Sequence, residues 1–172
     1  GKVDLDNMKY RVEGFYEENG CETILGVKAV QIDPVRKVVV LEDEREISYD
    51  KLLLATGSSP FVPPVPGIDK VSKKHTFTTL DDALELEKDL KEDAKVLILG
   101  AGLIGLKCAE AICKKVKCTC VDLSNRILSS ILDEDGSDYI RNILEKNGIE
   151  FHLGRQVAEF EESFAILDNG EK

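Results

Sequence analysis

Three glycines and one carboxylate give the clearest chemical signal in the sequence. Gly100, Gly102 and Gly105 stand in the order Gly-x-Gly-x-x-Gly, filled in by Ala101, Leu103 and Ile104, and Asp122 follows 17 residues past the last glycine. A dinucleotide needs this arrangement. The first glycine turns the chain sharply, the second lets a pyrophosphate approach the backbone, and the third lets the next helix sit close to a sheet. The N-terminus of that helix offers unpaired N–H groups and the positive end of its dipole to phosphates.

Those residues work only if particular elements hold them. Val96-Leu-Ile-Leu99 is an apolar run suited to a buried parallel strand, and it leads directly into the turn. Leu103 to Val116 reads as the helix, and Lys117-Cys-Thr-Cys-Val-Asp122 as the next strand, ending in a carboxylate able to hold ribose hydroxyls. Upstream, Thr79 is an expected N-cap with Asp82 three residues on, followed by Ala83, Leu86 and Leu90 along one stripe. Downstream, a helix is expected over about Asp135–Lys146 with Tyr139, Ile140, Ile143 and Leu144 inward, ending at Asn147-Gly148. Strands should follow to the last residue.

The first third of the chain reads differently. Met8, Val12, Phe15 and Tyr16 are spaced for a helix over residues 7–19, stopped by Asn19-Gly20. Glu22–Leu25, Val27–Ile32, Lys37–Leu41 and Glu46–Tyr49 read as short strands of an antiparallel meander, with turns at Asp33-Pro34 and Glu42-Asp43-Glu44. Leu52–Gly57 reads as a continuous apolar strand of a parallel sheet. Four of the five prolines fall between Ser58 and Gly67, which marks a stiff linker.

Composition bounds the rest. The 172 residues are 42% hydrophobic and 33% charged, enough for an ordinary core, and no apolar run approaches the roughly 20 residues that span a bilayer. The net charge of −10 argues against nucleic acid and against anionic membrane surfaces. A cytoplasmic protein is the expectation. Cys108 and Cys113 form a Cys-x4-Cys pair, but five helical positions separate the thiols by about 140° and roughly 7.5 Å, too divergent for a disulfide. Cys118 and Cys120 share a strand face and do not bridge either. With His75 and His152 scattered, no metal site is expected, and all five cysteines, Cys21 included, read as reduced and mostly buried.

A repeat runs through the chain. Phe15–Gly26 aligned on Ile143–Gly154 gives six identities in twelve positions: Glu17/Glu145, Asn19/Asn147, Gly20/Gly148, Glu22/Glu150, Leu25/Leu153 and Gly26/Gly154. Each copy reads as a helix ending in Asn-Gly, then a strand, then a meander. The first copy lacks the strand, glycine turn and helix that precede the second. The second lacks the apolar strand that closes the first.

Tyr49-Asp-Lys-Leu-Leu-Leu-Ala55-Thr56-Gly57, Val65-Pro66-Gly67, and Val96–Gly105 with Asp122, Asn125-Arg126 and Leu132-Asp133 together resemble the FAD- and NAD-dependent pyridine nucleotide-disulfide oxidoreductase family. The chain is most similar to its NADH oxidase, coenzyme A disulfide reductase, rubredoxin reductase and nitrite reductase flavoprotein branch. The resemblance implies an α/β protein: a doubly wound, Rossmann-like NAD-binding domain with an antiparallel meander, over residues 69–172. Residues 1–59 would be a truncated piece of a nested FAD-binding domain, and 60–68 the crossover. It implies an internal fragment, since the family's flavin-binding glycine turn, its later Gly-Asp segment and its dimerisation domain are not in the sequence; a homodimer is left open for the parent.

Residue by residue, the resemblance puts Gly100, Ala101, Gly102, Leu103, Ile104 and Gly105 on the NAD pyrophosphate, with Leu103 toward the nicotinamide. It puts Asp122 on the adenosine ribose, where a carboxylate repels a 2′-phosphate and so favours NADH. Arg126 could host that phosphate instead, or be a solvated loop arginine. Ala55, Thr56 and Gly57 would lie against FAD. Where many relatives have Glu, this chain has Lys107, which reverses a charge near the cofactors or else reaches solvent; Glu110 is placed to offset it. The implied activity is hydride transfer from NADH to FAD and on to oxygen, a disulfide or a redox protein, an acceptor the sequence does not identify. Cofactors carry that chemistry, so no residue of the chain is assigned a catalytic role. A non-catalytic NAD-binding module for redox sensing or interaction is the competing reading. A flavin-free dehydrogenase is disfavoured by Ala55-Thr56-Gly57 and the proline linker.

Overall fold

The computed structural model of the chain describes residues 6–172. They form two compact units, divided between Ser58 and Ser59.

In the first unit a single 3-10 turn, Asp6–Met8, precedes a one-turn helix, α1 (Phe15–Glu18). The helix expected over 7–19 is reduced to this turn. Gly14 interrupts it in the left-handed region at φ 82°, and the apolar stripe meant to stabilise it (Met8, Val12 and Tyr16) is exposed. A short helix without a packed face is marginal. The meander forms as β1 (Ala29–Asp33), β2 (Val38–Leu41) and β3 (Glu46–Ser48), antiparallel in that order. Asp33 Oδ1 accepts from the backbone N–H of Val35 and Arg36 and closes the first turn. Two expected strands are absent. Glu22–Leu25 and Leu52–Gly57 pair with nothing among the described residues, and Leu53 and Leu54 are exposed. An apolar run becomes a strand only when a neighbour takes its N–H and C=O groups.

The second unit opens with the proline-rich stretch, at the end of which Phe160 N–H donates to the carbonyl of Pro66 at 2.8 Å. Gly67 lies at φ 77°, and a Cβ there would collide with the carbonyl of Phe160. A 3-10 turn over Ile68–Lys70 leads to α2 (Leu80–Asp89). Its capping box is complete: Thr79 Oγ1 accepts from Asp82 N–H, and the Asp82 carboxylate accepts from Thr79 N–H. The backbone N–H groups of Thr78 and Thr79, both donating to the Asp82 carboxylate, hold that carboxyl well below the usual range.

The parallel sheet follows, with β4 (Lys95–Leu99), α3 (Leu103–Ile112), β5 (Lys117–Asp122), α4 (Glu134–Lys146) and β6 (Ile149–Leu153). Strand order is β4-β5-β6, all parallel. This is a Rossmann-like α/β fold. A hairpin of β7 (Val157–Phe160) and β8 (Ala165–Leu167) completes the unit.

Side-chain alternation along β5 divides the unit into two layers. Cys118 and Cys120 face one side, in a core with Leu106, Ala109 and Ile112 of α3 and Leu144 of α4. Val121 faces the other, with Leu97, Val157, Leu167 and Val65 of the linker. On α4 the inward residues are Ser137, Ile140 and Leu144, spaced i, i+3, i+7; Tyr139 and Ile143 point outward, contrary to expectation. At about 100° per residue Ser137 and Leu144 lie to one side of Ile140, and Tyr139 and Ile143 lie about 100° and 60° to the other, off one edge of the stripe. The cysteines are all free. Cys108, Cys118 and Cys120 are buried, and burial pushes the Cys118 thiol up to about 11 and that of Cys120 to about 12. Cys21 is exposed, contrary to the expectation of a buried thiol, and lies just before the expected strand Glu22–Leu25 that does not form.

Candidate functional site

The glycine turn sits where β4 ends. Gly100 N–H donates to the carbonyl of Val121 at 2.8 Å, extending the β4–β5 ladder by one bond. Gly100 then takes φ 110°, a value that an L side chain resists, and the chain turns out of the sheet. A Cβ on Gly105 would strike the carbonyl of Gly100, so the first turn of α3 can lie against the strand end only with glycine there. Around Gly102, by contrast, nothing stands within 4 Å of where a Cβ would be. The two glycines therefore do opposite things: one lets protein pack on protein, and the other leaves open space.

Helix α3 also begins unlike its neighbours. Thr79 caps α2 and Asp133 caps α4, each through a side-chain oxygen. Gly102 caps α3 with no side chain. Its first-turn N–H groups are left for an outside acceptor, with Leu103 and Ile104 more than half exposed beside them.

Asp122 lies on the same face of β5 as Cys118 and Cys120, the face that α3 covers, so its side chain rises under the glycine turn. Oδ2 accepts from Ala101 N–H at 2.6 Å, and Oδ1 accepts from Ser124 N–H at 2.7 Å. A carboxylate has about four lone-pair directions, so two bonds leave room for two ribose hydroxyls. Sequence reasoning assigned Asp122 a ligand and missed that it also braces the turn.

Arg126 is half-buried rather than solvated. Its Nη2 donates to the Ser129 carbonyl at 3.0 Å, and its buried Nε has no partner among the described residues. The loop around it is held further by Ser129 Oγ donating to Ser124 Oγ at 3.1 Å. Leu123, directly after β5, and Ile131, in the loop before α4, are largely exposed apolar side chains that the motifs do not include. An isolated exposed leucine has no sequence signature; its place after Asp122 is the only clue. Lys107 faces solvent and pairs with Glu110 at 2.9 Å. Ala55, Thr56 and Gly57 lie in the first unit, on exposed chain. The structure thus brings together Gly100–Gly105 and Asp122, while the Arg126 side chain bonds within its own loop, to Ser129.

The profile of the family described as pyridine nucleotide-disulphide oxidoreductase matches residues 5–172. The chain belongs to that family. Among its relatives is the NADH-dependent phenylglyoxylate dehydrogenase subunit epsilon of Aromatoleum evansii, 38% identical over 99% of this chain and 41% of that protein. Similar solved structures include the covalent putidaredoxin reductase–putidaredoxin complex, with TM-score 0.87 and 27% identity over 99% of this chain and 43% of that one. The water-forming NADH oxidase from Lactobacillus brevis bound to NADH gives TM-score 0.83 and 29% identity over 97% of this chain and 39% of that one. The chain therefore spans about two-fifths of the length of these members of the family. No described helix is long and apolar enough to cross a membrane.

Proposed function

We propose that this chain is the NADH-binding segment, with part of the FAD-binding domain, of a flavoprotein that passes hydride from NADH to FAD and on to oxygen, a disulfide or a redox protein. In this reading residues 69–172 belong to the NAD domain, 60–68 to the crossover, and 1–59 to the FAD domain. The observation behind it is the pairing of an uncapped helix start at Gly102 with a strand-end carboxylate, Asp122, that has spare acceptor capacity.

An NAD molecule suits these donors. Gly102 gives the pyrophosphate open space against the backbone, and the first-turn N–H groups of α3 donate to it. Asp122 accepts from the adenosine ribose hydroxyls. Leu103 and Ile104 supply an apolar surface on the nicotinamide side, and Leu123 and Ile131 one on the adenine side. Bound nicotinamide would supply the hydride; the protein's part is to bind, orient and exclude water. Ala55, Thr56 and Gly57 would face the flavin with small side chains and backbone. Arg126, tied to the Ser129 carbonyl, serves to shape the loop rather than to receive a 2′-phosphate.

Calorimetry on the 172-residue chain tests this. NADH should bind more tightly than NADPH, and Asp122→Ala should weaken NADH and erase the preference. Equal affinity for the two cofactors in the wild-type chain would remove Asp122 from the argument. The chain should also purify colourless, and a stoichiometric flavin chromophore would refute the division proposed for the FAD site.

A further inference from the structure

Helix α4 carries a serine, Ser137, in its inward stripe, only 1% exposed. Alanine is the better helix former there and leaves no polar atom to satisfy. The hydroxyl donates to the carbonyl of Ile127 at 2.7 Å, and Ile127 is itself fully buried. The next residue, Leu128, is held at φ 49°, in the left-handed region that a side chain rarely adopts. In that pose its N–H donates to the carbonyl of Ala101 at 3.0 Å, and its own carbonyl accepts from Ile131 and Leu132. A line of contacts therefore joins the buried face of α4 to the middle residue of the glycine turn.

The Ala101 carbonyl and the Gly102 N–H belong to one planar trans peptide unit and point in opposite directions. Fixing the first toward Leu128 aims the second away from Leu128. On the other side of Ala101, its N–H is fixed by Asp122. We propose that Ser137 and the loop 124–132 act as a strap that sets the aim of the Gly102 N–H, making Ser137 a positioning residue for pyrophosphate binding although it touches no ligand. The binding half of this statement rests on the NADH reading above; the strap itself does not.

Two readouts on the 172-residue chain keep those halves apart. The first is amide hydrogen exchange without ligand. Ser137→Ala should speed exchange at Leu128 by about tenfold relative to amides of β5, as loss of one buried hydrogen bond implies, and Ser137→Thr should restore it. Unchanged exchange at Leu128 overturns the strap. The second is titration with NADH and with adenosine, which has the ribose hydroxyls but no phosphate. Ser137→Ala should weaken NADH about three- to tenfold and leave adenosine unchanged. Equal weakening of both overturns the proposal, because it signals general loosening. Faster exchange at Leu128 in a chain that binds neither ligand supports the strap and refutes the cofactor reading. If the alanine variant does not fold, Ser137→Cys, isosteric with a weaker donor, serves the same comparison.

Discussion

Phe15–Gly26 and Ile143–Gly154 share half their residues and the same turn, yet only one of them contains a strand. At the helix ends the main-chain bonds of Asn and Gly correspond, although the bonds from Cys21 N–H to Tyr16 and from the Asn19 side chain to Phe15 belong to the first copy. Asn19 N–H donates to the carbonyls of Phe15 and Tyr16, and Asn147 N–H to those of Ile143 and Leu144. Gly20 N–H reaches Glu17, and Gly148 N–H reaches Glu145. Gly20, Gly148, Gly26 and Gly154 all take positive φ. The likeness continues past the repeat read from sequence. Strands β1 and β7 each begin three residues after the last glycine and each shift register at the same place, between Ala29/Gln31 and between Val157/Glu159. Leu41 and Leu167 then open matching turns, donating to Arg45 and Glu171 carbonyls and accepting from Glu44 and Gly170.

The difference lies between these matching parts. Ile149–Leu153 pairs with β5 and becomes β6, whereas Cys21–Leu25 finds no neighbour and stays irregular. Short-range sequence thus specifies caps, bulges and turns twice over. Strand formation needs a partner, and here only the second copy has one.

The largest effect expected from this contrast is in the core. Ile149→Ala should cost about 2–4 kcal/mol in chemical denaturation, because Ile149, at the start of β6, is 2% exposed in the main core of the unit. At the aligned position, exposed Cys21→Ala should stay within about 0.5 kcal/mol. Similar costs at the two sites would mean that Cys21 is as well packed as Ile149, and the contrast would collapse. A smaller effect tests what the copies share. Gly20→Ala and Gly148→Ala each force a side chain into positive φ and should each cost about 1 kcal/mol in the local stability read by hydrogen exchange. A cost at only one would show that the caps differ despite their bonds.

Smaller again, Asp43→Ala and Asn169→Ala each remove a side-chain oxygen that accepts from the backbone two residues on, Arg45 and Glu171 respectively, and each should change stability by only a few tenths of a kcal/mol. The smallest effect is in titration. The Asp43 carboxyl sits below its ordinary 3.8 because of the Arg45 side chain, and Glu171 below its ordinary 4.5 because of Asn169 and then His152. Folded values below unfolded ones mean that each group's contribution is present above the unfolded pKa and fades as pH falls through the folded one. Carboxyl-carbon NMR should therefore show both midpoints depressed, from different causes in the two turns. An ordinary midpoint for either would break the parallel there.

Much of the second unit was legible because its signals are local. Thr79 and Asp82 form a cap from residues three apart, and the glycine spacing places α3 against β4. Asp122 was singled out as the acid that ends the strand after the glycine turn, and period-two alternation along β5 explains why its side chain meets that turn. The first unit misled for one reason: Met8, Val12, Leu53 and Leu54 have the pattern of buried elements, but burial requires a second surface that the pattern cannot supply. Ser137 escaped notice for the opposite reason. A hydroxyl in an amphipathic helix reads as outward-facing, and only the position of Ile127 shows that it turns in. Tyr139 and Ile143 were assigned inward in its place.

The bond from Phe160 to Pro66, and the glycine that admits it, settle where the second unit can be cut loose. A shortened chain beginning at Lys70 keeps every strand and helix of that unit but removes Val65 from beneath Val121 and Leu167, and takes the acceptor from Phe160. Its hairpin should fray, and protease digestion should clip it there. A cut between Ser59 and Pro64 falls on mostly exposed chain and leaves that seam closed. The proline stretch is therefore two things along its length: tether in its first half, and a piece of the wall in its second.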